Sequence, residues 1–115
     1  MVQIELDAIP AQTFQVLLDE QACTISIYQR DERLYLDLSV GEEVVANGCV
    51  CLERLDIIQY KAVDFSGHLY FYDTMGHTDP QWDGLEDRYI FIYISEDEEI
   101  PEILTADYIE DEDDG

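Results

Sequence analysis

The chain has 115 residues, with 28 acidic side chains against 5 basic ones, a formal net charge of −23 and an isoelectric point near 4.1. So acidic a chain excludes a free nucleic-acid binder, whose affinity rests on Lys and Arg displacing counterions from phosphates, and it argues equally against docking on an anionic membrane surface. Its length sets a single domain, and 47% hydrophobic residues, including eight tyrosines and four phenylalanines, supply a core.

Met1-Val2-Gln3-Ile4-Glu5 at the start carries no basic region. No apolar run approaches the roughly 20 residues that span a bilayer, so neither a signal peptide nor a membrane helix is expected, and the protein is expected to mature in a cytoplasm. The body then reads as β. Phe14–Leu18, Cys23–Tyr28 and Leu34–Val40 alternate with period two and are rich in β-branched and aromatic residues. In the third run Leu34, Leu36, Leu38 and Val40 share one face, which leaves Tyr35, Asp37 and Ser39 on the other. The polar stretch 29–33 between the second and third runs makes them a hairpin whose opposite charges meet at its tip. Gly41-Glu42-Glu43 turns the chain into Val44-Val45-Ala46, and Asn47-Gly48 is a turn signal before Cys49–Leu52.

Cys23, Cys49 and Cys51 cannot all pair within one chain and read as buried thiols. Two sulfurs alone make a poor zinc site. A strand at His68–Tyr72 follows Ser66-Gly67, and the last strand, Tyr89–Ile94, is apolar on both faces and is therefore expected to be central or covered. Seven or so short strands with no long amphipathic helix predict an all-β fold, a small antiparallel β-sandwich or partly closed β-barrel, over residues 1–95.

Residues 73–87 form a longer connection between the last two strands. Asp73, His77, Asp79 and Asp83 within it are a candidate oxygen-rich cation site, but their spacing does not reproduce a calcium loop. The stronger reading is a structural one. Asp79-Pro80 starts a turn, Trp82 or Leu85 plugs one end of the sandwich, and Arg88 clamps the loop by pairing with Asp73 or Asp79. There is no glycine-rich phosphate loop and no nucleophile in a recognisable setting, so neither catalysis nor a cofactor is expected. With Leu69 and Phe71 facing in, Tyr70 and Tyr72 face out, as does Tyr35. Such tyrosines suit a protein interface and equally a solvated strand face.

The charge is uneven. Residues 1–95 hold 17 acids and all five bases, whereas 96–115 hold 11 acids and no base. The segment 110–115 reads as a solvated acidic tail. Before it, Ile100, Ile103, Leu104 and Tyr108 recur at the spacing of one helical face, with Pro101 near the first turn. Two readings stay open for 96–115: a short helix folded back on the body, or a segment that docks on a partner.

The order of landmarks resembles a family of small phage tail proteins, the plug-type domain of cyanophage baseplates and its relatives in other contractile-tailed phages and prophages. The resemblance is carried by Ile9-Pro10-Ala11-Gln12-Thr13-Phe14 after Glu5-Leu6-Asp7, by Tyr35-Leu36-Asp37-Leu38, and above all by the segment from Gly67 to Tyr93. In that segment Gly67-His68-Leu69 precedes Asp73-Thr74-Met75-Gly76, then Asp79-Pro80, then Leu85, Arg88 and a closing apolar strand. It covers about residues 4–95. Glu86 stands where relatives often have glycine, and the tail after Ile94 lies outside the shared pattern. The resemblance implies a non-enzymatic part of the baseplate hub, an adaptor or plug present in multiple copies between other tail proteins, assembled in the host cytoplasm and carried in the virion. The charge adds that those partners offer basic surfaces. The rival is an acidic mimic of DNA that inhibits a nucleic-acid-binding protein. Such a mimic needs a rigid array of carboxylates, whereas nearly half of this charge lies in the last 20 residues.

Overall fold

Alternating apolar residues dictate half-buried strands, and the computed structural model, which describes residues 1–59 and 65–104, stacks seven of them into two antiparallel sheets. The strands are β1 (Val2–Ile4), β2 (Ala11–Leu18), β3 (Gln21–Arg30), β4 (Arg33–Val40), β5 (Glu43–Val50), β6 (His68–Asp73) and β7 (Tyr89–Ile94). One sheet has the order β2-β3-β4-β5 and the other β1-β7-β6, so the fold is a sandwich with open edges and no closed barrel. Ile25, Ile27, Leu36 and Leu38 from the first sheet meet Leu69, Phe71, Phe91 and Tyr93 from the second in one buried cluster. Each such side chain contributes about 1.5–3 kcal/mol when fully withdrawn from water. Phe71 and Phe91 are directly opposed across β6 and β7, their rings stacked with centroids 4.6 Å apart.

The hairpins close tightly. Leu18 opposite Gln21 leaves Asp19 and Glu20 as a two-residue turn, both with positive φ (50° and 66°), the twist that suits antiparallel strands. Arg30 opposite Arg33 leaves Asp31-Glu32 at the predicted tip. The opposite charges do not simply meet there: Arg33 reaches out to Asp79 of the long connection (3.3 Å) and Arg30 lies over the Tyr28 ring.

One sequence expectation is corrected. Asn47-Gly48 does not end a strand. β5 runs through it, with Leu36 opposite Cys49 but Leu38 opposite Ala46, so one extra residue is accommodated as a bulge. Gly48 takes φ +69° there, and its N–H donates to the Asp37 carboxylate (2.7 Å). β1 pairs with β7 although three residues are too short to show a period. It restores the count of seven that the merging of two predicted strands would have lowered.

As its two apolar faces require, β7 is central and covered. Its inner residues join the main core, while Ile92 and Ile94 on the outer face are buried with Leu104, against Tyr70, Tyr72, Ile90 and Ile100. Residues 51–58 cross from one sheet to the other. The Cys51 N–H donates to Leu34 O on β4 (2.9 Å), and the N–H groups of Arg54 and Ile57 donate to Phe71 O and Leu69 O (2.8 and 2.9 Å), which closes the outer edge of β6.

Candidate interaction site

The long connection is fixed by a charge that alternation places inside. Asp73 follows Leu69 and Phe71 in the inward row of β6 and has no exposed surface. A buried carboxylate must be paired and hydrogen-bonded. Arg88 supplies a two-pronged contact, Nε to Oδ1 at 2.7 Å and Nη2 to Oδ2 at 2.8 Å. The N–H groups of Met75 and Thr78 and the Thr78 hydroxyl donate to the same carboxylate, each at 2.9 Å. The Arg88 guanidinium first, and these donors with it, hold the Asp73 carboxyl far below the usual carboxylate range. Of the two pairings expected for Arg88, the geometry selects Asp73.

Asp79 serves a different anchor: it accepts the Glu53 N–H (3.0 Å) and faces Arg33. Pro80 beside it is buried. Trp82 and Leu85 both pack on the main core, Leu85 completely. Gln81 donates to Glu32 O (2.7 Å) and accepts from Gln29 Nε2 (3.0 Å), which ties the loop to the β3–β4 tip. Glu86 adopts φ +71°, the left-handed conformation that favours glycine, and its carboxylate accepts the Leu6 N–H (2.8 Å).

The candidate cation ligands do not converge. Asp73 and Asp79 are occupied as described, and His77 Nδ1 lies 3.6 Å from the Glu53 carboxylate. Among the described residues no group of three or more His, Cys, Asp or Glu side chains is arranged to hold a metal ion. Burial pushes the Glu53 carboxyl up, opposed by the Asp73 N–H and by Arg54, whose Nε is 2.6 Å away. Cys23 and Cys51 are buried and Cys49 half-buried, all as free thiols, and burial drives the Cys51 thiol upward.

The residues singled out for an interface fall in three places. Tyr35 is half-buried on the outer face of the larger sheet, stacked on Tyr28 with centroids 6.1 Å apart. Tyr70 and Tyr72 do face outward from β6, but onto the surface shared with Ile90, Ile92 and Ile94, where Ile100 and Leu104 also lie. Ile103 and Leu104 do not share a face. They sit side by side in a short 3₁₀ turn, Glu102–Leu104, so Leu104 is buried while Ile103 is 48% exposed. Residues 96–104, read from sequence as the start of the tail, thus return to the body through Ile100 and Leu104. Tyr108 lies outside the described residues, as does the rest of 105–115.

At the opposite end a second fastening had no counterpart in the sequence reading. Tyr93 points inward, and its hydroxyl lies 2.8 Å from Asp19 Oδ2 and 2.9 Å from Ser66 O. Ser95 Oγ also donates to Asp19 Oδ2 (2.6 Å) and, with Tyr93, keeps that carboxyl below its ordinary range. Gln21 and Ser66 exchange two hydrogen bonds (3.0 and 2.9 Å), and His68 Nδ1 meets Asp56 Oδ2 at 2.7 Å. The only signal for this end was Ser66-Gly67 before a strand.

These arrangements bolt both ends of the sandwich. Among the described residues no helix is long and apolar enough to cross a membrane. A protein-family model described as cyanophage baseplate Pam3 plug gp18 matches residues 1–97. No curated protein matches the chain.

Proposed function

The chain belongs to the cyanophage baseplate plug family, and from that premise we propose that it is an adaptor held between other tail proteins by their basic surfaces. The family's baseplate role makes it a structural component of the phage tail, and the virion tail its place. The finer reading is a non-catalytic plug, present in several copies, assembled in the host cytoplasm and seated among hub subunits.

The observation that carries this reading is the fate of the cations. Arg88 is engaged by Asp73, Arg54 by Glu53, Arg33 by Asp79, and Arg30 lies over Tyr28. The fifth base, Lys61, lies outside the described residues. Against 28 acids these leave the chain strongly negative, a self-repulsion that packing against basic neighbours would relieve. Complementary charge then fixes orientation and speeds encounter. Tyr35 on the larger sheet and Ile103 on the C-terminal turn are contacts such neighbours would cover, together with Trp82 at the clamped end.

The test is association of the full chain with purified hub and tube proteins at low and high ionic strength, alongside its detection in purified tails. Binding is expected to weaken as salt shortens the screening length from about 30 Å at 0.01 M to about 8 Å at 0.15 M. Equal association at both would refute the electrostatic part, and absence from tails would refute the adaptor.

A further inference from the structure

A sandwich has four sheet edges, and three of these are protected. The β6 edge is closed by residues 51–58, β1 is only three residues long, and β5 is broken by two shifts of register. The fourth, β2, is different. It runs for eight residues, Ala-Gln-Thr-Phe-Gln-Val-Leu-Leu, in unbroken register with β3, without a charge, a proline or a bulge. Long, regular, neutral edges are what free-standing sheet proteins avoid, because the unpaired backbone groups template another strand.

The register shows which groups are free. Gln29 N–H donates to Pro10 O, so the even-numbered residues of β2 bond to β3, and Ala11, Thr13, Gln15 and Leu17 turn their N–H and C=O groups outward. Among the described residues no backbone group pairs with them. The same four side chains are exposed, Leu17 to 68%, while Phe14 and Val16 lie on the inner side only partly covered at the rim of the core.

We propose that β2 is a strand-addition site, where a neighbouring baseplate protein lays an extended, uncharged segment with basic residues at its two ends. The occupant follows from charge. The neutral stretch is bracketed by Glu5 and Asp7 before it and by Asp19 and Glu20 after it. A second copy added antiparallel would set Asp19 and Glu20 of each chain beside Asp7 of the other, a like-charge pairing that disfavours it. A partner strand with Lys or Arg flanks meets both brackets favourably and extends the four-stranded sheet to five. This rests on the adaptor reading for the identity of the partner, but not for the chemistry of the edge.

The probe is a labelled synthetic peptide of alternating Val and Thr with lysines at each end, measured by fluorescence anisotropy against the full chain. Binding is expected to fall roughly tenfold for Gln15→Pro, which deletes one outward N–H, and to stay within about twofold for Gln15→Ala, which keeps it. Amide exchange on the unaltered chain gives a readout that no variant can confound. The odd-numbered amides from Ala11 to Leu17 gain protection when peptide is added and the even-numbered ones do not change. Equal binding of a peptide with its lysines scattered through the core, protection elsewhere, or a concentration-dependent dimer of the chain alone would each overturn the proposal. A Gln15→Pro chain that enters tails normally would overturn the role of the edge there and leave the adaptor standing. Absence of the wild-type chain from tails would do the reverse.

Discussion

Gly67→Ala is the sharpest single probe of how the sandwich is closed. Gly67 holds φ +110°, and a Cβ placed on it would lie 2.4 Å from Tyr93 Cε1 and 2.5 Å from its hydroxyl oxygen. The ring has little room to retreat. It is 1% exposed, packs edge-on to Phe65 with centroids 6.0 Å apart, and ends on Asp19 and Ser66. Backbone strain at this φ costs about 1–2 kcal/mol, relief of the clash about 1–3 kcal/mol, and a lost buried hydrogen bond about 1 kcal/mol. The expected loss is therefore about 3–6 kcal/mol, a fall in melting temperature of roughly 12–24 °C at this chain length. Urea unfolding followed by Trp82 fluorescence, run in parallel with thermal melts, reads it. The control is Tyr93→Leu, which removes the colliding atoms. In that background Gly67→Ala is expected to cost only the backbone part, so the two changes couple by about 2–4 kcal/mol. A Gly67→Ala chain within about 1 kcal/mol of the parent, or equal costs in both backgrounds, would show that the Tyr93 ring does not close this end.

At the other end, Arg88→Ala should destabilise more than Asp73→Asn, because the first strands a buried carboxylate while the second leaves a guanidinium that is already 34% exposed. The double variant should be more stable than Arg88→Ala alone, and the reverse order in thermal melts would contradict the clamp. The pH profile follows from two opposite shifts. Asp73 titrates below its ordinary 3.8, so its contribution is complete above that pH and is lost as pH falls through the lower folded value. Glu53 titrates above its ordinary 4.5, so stability is gained as pH falls through that raised value, and self-repulsion eases over the same range. Stability should therefore peak on the acid side of neutrality, above pH 4, and collapse below it; a monotonic fall from pH 7 to 5 in melting temperature would refute this. Leu104→Ala should cost about 2–3 kcal/mol, whereas Ile103→Ala should stay within about 0.5 kcal/mol. Equal effects would mean that Leu104 does not seal Ile92 and Ile94.

The strands were legible wherever alternation ran for five residues or more. Leu34, Leu36 and Leu38 are all fully buried with Tyr35 and Asp37 on the opposite face, and β7 is central because both its faces are apolar. Asn47-Gly48 misled because a glycine at positive φ serves a bulge as well as a turn, and only the facing strand decides between them. Arg88 was visible as a clamp from its position before an apolar strand. Its choice of Asp73 over Asp79 depended on which carboxylate the strand period turned inward. Glu53, Arg54 and Asp56 had no periodic signal, since 51–58 is a crossing segment whose hydrogen bonds go to two different sheets. Asp19 was unreadable for a similar reason: its partners Tyr93 and Ser95 are more than 70 residues away.

The two ends hold the sandwich's own loops in place before any partner docks. Asp73 with Arg88 at one end, and Tyr93 with Asp19 at the other, bind loops that would otherwise move, and each uses a polar group that the strand period or a tight turn placed there. A plug inserted among other subunits gains little from burial if its own loops must be ordered on docking, since each immobilised side chain costs about 0.5–1.5 kcal/mol. Holding those loops in advance keeps that cost within folding, where the core supports it. What remains outward is a neutral β2 edge bracketed by carboxylates, and in the proposed assembly charge at the ends would set orientation and backbone between them the register.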